Sequence, residues 1–444
     1  MGIQEPVFRR LVESVTRANG VPHARRAYLS ELIKDRTDAE LRALIEGPDP
    51  VYGKPFMTQV LEQLTRPLAV PEAPADRSAP RVLEADSEEN LLALFEQNHW
   101  TDFLPIVLPT EERVAEMLTG TSHAPDEVIG KLRPARFREF WEFTVEKVAV
   151  NAVMAGARPE YLPVILAAAA SVALRPSEHP SELASESRLS MARISSITSM
   201  AAITIVNGPI RNEIGMNYGI GALGPYNRAN STIGRAFGLL AQNLQGGSRP
   251  GETYMGTMGN PFGFTSTCFA ENEERSPWEP LHVRRGFGRD ESVVTVGTAM
   301  TLGRMYTVGE LWEETLANLI RTEAGATGGG GATLVFDPDA ARVIGHKGGP
   351  TTAEEMIEWA VEHAGTMRSD LVRDTLHWGM SQVPLADDGV EPYASWAKVP
   401  DGEMIEVLGP KQIEVVVTGG ETVPSINVFG EGMYKRSASI DEWR

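Results

Sequence analysis

One stretch, Cys268 to His282 (CFAENEERSPWEPLH), places a thiol, four glutamates, a tryptophan and an imidazole within fifteen residues. Glu271, Glu273 and Glu274 are like charges that repel unless solvated, paired or bound to a metal. A carboxyl buried beside a second one keeps its proton to higher pH, which suits a general acid or base near neutrality. His282, just past the proline-bracketed Trp278, can shuttle protons in the same range. The expected catalytic set is therefore Glu273, Glu274 and His282, with Cys268 as a thiol candidate. Cys268 is the least convincing member. A thiolate needs a base or a positive field, the neighbouring glutamates work against it, and a lone cysteine is among the residue types most often buried. The competing readings are a solvated acidic turn answered by Arg275, Arg284 and Arg285, and a His282 that is simply a satisfied polar residue.

A second stretch, Asn207 to Ala236 (NGPIRNEIGMNYGIGALGPYNRANSTIGRA), mixes glycines with asparagine and arginine. Glycine lets backbone N–H groups approach an anion, and arginine offers a bidentate fork for carboxylate or phosphate. Ser231 and Thr232 are placed to cap a helix whose N-terminus also favours an anion. Asn207, Arg211, Arg228, Asn230 and Arg235 are the expected substrate-binding residues, against the alternative of a structural glycine-rich turn. GIGALG (Gly219 to Gly224) has the letters of a dinucleotide fingerprint but not its strand-to-helix setting, nor an acidic residue at the ribose-binding distance. GATGGGGAT lacks the lysine of a phosphate-binding loop. VVTGGE, around Thr418 to Glu421, is either a plain turn or the lining of a ligand crevice at a strand's carboxyl end. His346 and Lys347 in GHKGGP read as an exposed loop. No HExxH or CxxC spacing is present, and scattered glutamate and histidine leave a divalent metal ion as an open cofactor.

These residues need elements to position them. MAAITIVNGPI is a β-branched run closed by Asn-Gly-Pro, a buried strand entering a loop. TVEKVAVNAVMAGARPEY puts Val145, Val148, Ala149, Ala152 and Val153 on one helical face, with Gly156 and Pro159 as stop signals. Ser231 to Asn243 reads as helix. GATLVFDPDAARVIG reads as strand, Asp-Pro turn and helix; TTAEEMIEWAVEHAG as a capped helix; QIEVVVTGGE as a strand running into a turn. Strands alternating with helices predict an α/β body with a mixed or parallel sheet over residues 89–444, with room for two subdomains. Residues 1–66 read as a separate helical module: Val7, Leu11 and Val15 share one stripe, and TDAELRALIEG carries a Thr cap and a closing Gly. Proline, alanine and charge mark a linker over 67–88. No internal repeat is visible.

The bulk composition narrows the class. The 444 residues are 42% hydrophobic and 23% charged, ordinary for a globular protein with a sizeable core. A net charge of −19 argues against nucleic acid or an anionic membrane surface as partner. One cysteine forms no internal disulfide, which fits a reducing cytoplasm. MGIQEPVFRR lacks the apolar core of a signal peptide. The most apolar run, LPVILAAAASVAL, is too short to span a bilayer. A small anionic substrate and a homo-oligomer are the expected partners.

Several blocks together resemble a known family: DFLPIVLPTEERVAEML, TVEKVAVNAVMAGARPEYLPVILAA, VNGPIRNEIGMNYGIGALGP, RANSTIGRA and CFAENEERSPWEPLHVRRGF look like the large module of the bacterial UGSC-type proteins. The likeness runs from about Trp100 to about Gly288. Those proteins are often labelled thiol-disulfide oxidoreductases or selenoprotein-related, so the resemblance implies thiol redox chemistry. This sequence departs from the pattern. Ala157 stands where the family pattern carries a cysteine, the U-G-S-C motif is absent, and a dithiol or selenol mechanism needs a second sulfur or a selenium. The residues themselves point to an enzyme of the lyase or hydratase type. It would act on a small carboxylate-bearing substrate by acid–base elimination, hydration or isomerisation, with or without a metal. Thiol-dependent catalysis through Cys268 and a non-catalytic partner subunit are the alternatives.

Overall fold

The structure, a computed structural model, describes residues 24–30, 36–67, 81–132, 141–173, 201–244, 267–299, 301–325, 331–370, 383–431 and 435–444, with positions 2–4, 6, 9, 12, 16 and 262. The chain divides into two compact units, the first running to Asn90.

In the first unit, Thr37 accepts from the Glu40 N–H and Glu40 reaches back to Thr37, a reciprocal cap that starts the helix Asp38–Glu46; Gly47 ends it. The helix Phe56–Thr65 follows. It packs Phe56 and Val60 on Ala27. Ala27 lies in the strand Arg26–Tyr28, which pairs in parallel with Gly2–Gln4. Buried Asp49 ties this strand down by accepting from the Tyr28 N–H at 2.7 Å. The described part of residues 1–66, expected as a helical module, thus holds a short parallel strand pair beside its two helices. Val7, Leu11 and Val15, and residues 68–80 of the expected linker, lie outside the described residues.

The second unit is the α/β body. The strands of its two larger sheets are β1 (Ala201–Asn207), β2 (Thr267–Ala270), β3 (Val293–Ala299), β4 (Thr301–Met305), β5 (Gly331–Phe336), β6 (Ile413–Val417), β7 (Ile426–Glu431) and β8 (Arg436–Ser439); two short antiparallel pairs, Val128–Leu132 with Trp141–Thr144 and Thr366–Met367 with Met404–Ile405, stand apart from them. They form two four-stranded mixed sheets, ordered β8-β3-β1-β2 and β6-β5-β7-β4. In the first, β1 and β2 are parallel while β1–β3 and β3–β8 are antiparallel. In the second, β5 and β6 are parallel while β5–β7 and β7–β4 are antiparallel.

The two sheets are thus the same arrangement used twice. Within each half, the first strand pairs in parallel with the second and antiparallel with the third, and the fourth crosses to the other sheet. The strand ends correspond too: the Glu271 N–H donates to Val206 O at 3.0 Å, and the Thr418 N–H to Phe336 O at 2.8 Å. Asn207 and Asp337 hold equivalent positions, as do Glu271 and Thr418. The topology is repeated while the residues at these equivalent positions differ.

The sheets face each other across a seam of Ile203, Ile205, Phe269, Val335, Val416 and Phe429. On the outer side of the second sheet, Leu334, Phe336, Val415, Val417, Ile426 and Val428 share a core with the helices α4 (Trp312–Gly325), α5 (Pro338–His346) and α6 (Ala353–His363). On the first sheet lie α2 (Leu162–Val172) and α3 (Arg228–Asn243), with α1 (Val145–Met154) packed on both. The result is four layers, α/β/β/α. Both faces of the central strands are covered, so β1, β3 and β5 are buried throughout and show no polar alternation. α2 is apolar on nearly all sides for the same reason.

Candidate functional site

The carboxyl ends of β1 and β2 meet beside the seam. Gly208 turns the chain out of β1 with φ +82°, and a Cβ there would lie 2.2 Å from Glu291 O, so only glycine fits. The turn carries Asn207 and Arg211 to the acidic stretch that follows β2. Asn207 Nδ2 donates to Glu271 Oε2 at 2.5 Å and to Glu273 Oε1 at 3.0 Å. The Gly208 N–H also donates to Glu273 Oε1, at 2.8 Å. Arg211 donates from Nε to Gly208 O at 2.9 Å, from Nη1 to Glu271 O at 2.6 Å, and from Nη2 to Glu274 Oε1 at 3.1 Å. Its Nε is 3.1 Å from Glu273 Oε1.

Burial governs the electrostatics of this hub. Glu271 is 1% exposed, and burial pushes its pKa up to about 7 against the hydrogen bonds from the Leu281 N–H and Asn207. Burial also works against the Glu274 charge, but the Arg211 guanidinium outweighs it and holds that pKa below the usual range. His282 is fully buried, and its Nε2 lies 3.2 Å from Arg289 O. A ring nitrogen facing a carbonyl must carry the proton. His282 Nδ1 has no hydrogen-bond partner among the described residues and stands 3.9 Å from Glu273 Oε1. Five of the residues singled out from sequence, Asn207, Arg211, Glu273, Glu274 and His282, are therefore gathered in one place. The place is closed, however. Arg211 is 3% exposed and all three of its nitrogens are engaged by protein groups, which leaves no fork for a substrate anion.

The other four expected residues lie elsewhere. Arg228 reaches Gly156 O at 3.2 Å. Arg235 grips Asp102 with two bonds of 2.9 Å. Buried Asn230 bonds to the backbone of Asn217 and Ala222 and so shapes the glycine loop. These three tie α3 to the turn after α1, to the segment around Asp102 and to the glycine loop before it. Cys268 is buried in β2 opposite Thr204, and burial pushes its thiol pKa up, which disfavours a thiolate at neutral pH.

An open cavity lies at the carboxyl ends of β5 and β6, the equivalent place in the second half. It has a volume of about 330 Å³. Asp337, Thr418, Ser425, Asn427 and Arg304 supply its polar lining, and the glycine loop from Ile220 to Gly224 forms one wall. The sheet register explains the grouping: Val335 pairs with Asn427 and Asn427 with Arg304, so the three side chains share the inner face, with Asp337 two residues beyond Val335. In the first sheet the same row reads Ile205, Thr295, Ser437. There the two hydroxyls bond each other at 2.8 Å, so that row is satisfied internally.

Asp337 caps α5: Oδ1 accepts from the Ala340 N–H at 2.7 Å and Oδ2 from the Ser425 hydroxyl at 2.8 Å. Burial, the larger influence, nevertheless holds its pKa above the usual carboxylate range. Arg304 donates from Nε to Asn427 Oδ1 at 2.5 Å and lies over the Tyr306 ring. It pairs with no carboxylate among the described residues. Asn427 is 7% exposed, and its Nδ2 has no partner among the described residues. The glycine loop is locked to the Thr418–Gly420 turn. The Gly419 N–H donates to Tyr218 O at 2.9 Å, and a Cβ on Gly420 would come within 2.1 Å of Ile220 Cγ1.

Sequence reasoning reached the Thr418–Gly420 turn as one reading of VVTGGE and the loop as glycine-rich. It took Asp337 only as part of an Asp-Pro turn and passed over Arg304, Ser425 and Asn427. The Asp-Pro after a buried strand was a usable signal for Asp337. Nothing local marks Arg304, which joins the site only through cross-strand register. Among the described residues, no group of three or more histidine, cysteine, aspartate or glutamate side chains is placed to hold a metal ion, and no helix is long and apolar enough to cross a membrane. The chain matches no protein-family model, no curated protein and no solved structure.

Proposed function

We propose that the chain is an enzyme acting on a small carboxylate-bearing substrate by general acid–base chemistry, of the elimination, hydration or isomerisation type. One observation carries this reading: one cavity is lined both by Arg304, a guanidinium with no carboxylate partner among the described residues, and by Asp337, a carboxyl whose ionisation burial opposes. The location agrees with it, since ligands of α/β sheets bind beyond the carboxyl ends of parallel strands.

In this reading Arg304 anchors the substrate carboxylate. Neutralising that carboxylate acidifies the C–H bond next to it. Asp337 takes the proton in its ionised form, or delivers one to a departing hydroxyl in its protonated form. Ser425 fixes the Asp337 carboxyl through Oδ2. The Oδ1 oxygen, which has one protein donor, faces the work of proton transfer. Thr418 lines the cavity, but its hydroxyl donates to Ala270 O at 2.7 Å, so it shapes the floor.

The glutamate hub supports the cavity from the equivalent position in the first half, holding the loop and the ends of β1 and β2. The blocks that resemble UGSC-type proteins, around 206–225 and 268–287, build that hub and the loop wall. Membership of that family belongs to the same proposal.

The test is calorimetric titration of the full chain with acetate, lactate, malate, fumarate and succinate, followed by turnover assays on whichever acid binds. Binding that is lost in Arg304→Gln, with turnover lost in Asp337→Asn, is the expected result. Binding unaffected by Arg304→Gln would overturn the reading.

A further inference from the structure

The rim of the Asp337 cavity differs from its floor. Asp337, Thr418, Ser425 and Asn427 make the floor polar, whereas Ile220 and Val423 line the mouth and are 73% and 53% exposed. Tyr306, 65% exposed, lies under the Arg304 guanidinium at 5.4 Å. Single exposed hydrophobic residues are common on protein surfaces; here two line one opening, with the aromatic ring stacked on its cation. Ile220 is also held in place, because its side chain occupies the space that a Cβ on Gly420 would need. Leu223, from the same loop, packs against the inter-sheet core and forms the deeper part of the apolar wall.

We infer that the substrate carries an apolar group in addition to its carboxylate: an aliphatic or aryl carboxylic acid, with the carboxylate on Arg304 and the apolar portion against Ile220, Leu223 and Val423. This rests on the reading of Arg304 as the carboxylate anchor. A compact polar diacid would leave the exposed Ile220 and Val423 side chains uncovered and put a second charge against Asp337. An apolar acid removes that hydrocarbon from water, and Asp337 meets only the reacting carbon and its substituents.

The experiment is calorimetric titration of the full chain with acetate, butyrate, hexanoate, octanoate and phenylacetate. Affinity is expected to rise roughly fourfold per methylene that enters the apolar wall and then level off. The rise should be lost in Arg304→Gln and flattened in the double variant Ile220→Ser, Val423→Ser. These side chains are exposed, so the variants keep the fold, and a thermal melt verifies it. If acetate binds through Arg304 but chain length has no effect, the inference fails and the carboxylate reading stands. If no acid binds in an Arg304-dependent way, the carboxylate reading fails and takes the inference with it. A double variant that changes the sedimenting mass while keeping the chain-length dependence shows the rim to be a contact between copies, and overturns the inference.

Discussion

Asn207 and Asp337 occupy the same position in two copies of one strand arrangement, each at the carboxyl end of a central strand that pairs in parallel with its neighbour: Asn207 is the last residue of β1 and Asp337 the first beyond β5. The first is fully buried and turned onto two glutamates; the second lines an open cavity. One architecture thus yields a closed polar hub and an open site. The difference lies in the partners: Glu271 stands where Thr418 stands in the other half, and Ser437 where Arg304 stands.

Asp337 has a scaffold role as well as the proposed chemical one, and two variants separate them. Asp337→Asn keeps an oxygen that can cap α5, so stability should change little while turnover falls by about 10²-fold or more. Asp337→Ala loses the cap too and should cost about 1 kcal/mol in urea unfolding. Equal loss of turnover with unequal loss of stability is the expected pair of results.

Glu271 makes stability depend on pH in a defined direction. Its pKa is about 7 in the native state against 4.5 for the ordinary side chain. Between those values the native state holds a proton that the unfolded chain has released, so this group's contribution to stability falls as pH rises through that window. The total is on the order of 3 kcal/mol. Glu271→Gln should flatten the melting temperature measured from pH 5 to 8 and raise it most at pH 8. A wild-type stability that climbs across this range, with no difference in the variant, would contradict the assignment.

Arg211 and Glu274 form one ion pair with unequal consequences. Arg211→Met takes the buried cation away from Glu273, which keeps only its Asn207 and Gly208 donors, and takes the Nη1 donor away from Glu271 O, a loss of about 3–5 kcal/mol in denaturant unfolding. Glu274 is 47% exposed at its side chain, so Glu274→Gln should cost under about 1 kcal/mol.

Cys268 should behave as an inert core residue. In the native protein its alkylation by iodoacetamide should proceed only as fast as the chain opens, and Cys268→Ala should keep turnover. Rapid native-state alkylation, or loss of turnover in that variant, would return the thiol to the reaction.

Much of this was legible in the residues. The β-branched runs at Ala201–Asn207 and Ile413–Val417, the Thr37 cap and the amphipathic face of Val145–Met154 are local signals, and the local physics decides them. The meeting of Glu273 and Glu274 with Arg211 followed from chain order, because both segments leave adjacent parallel strands. Arg228 and Arg235 looked like anion ligands by residue type, yet their targets, Gly156 and Asp102, lie far away in sequence. Arg304 reaches the cavity through two antiparallel registers that no short pattern encodes. Local propensity and spacing therefore reveal elements and neighbours along the chain, while cross-strand register sets which side chains share a cavity.

Arg436 in β8 completes the first sheet by pairing with Val296, and β4 completes the second by pairing with β7. During synthesis the first sheet must wait with β3 uncovered on one edge until residues 436–439 leave the ribosome. The second sheet has all four of its strands by residue 431, whereas the first depends on the later β8, a distant pairing of the kind that slows folding. A truncated product would present an unfinished sheet edge to chaperones and to other nascent chains.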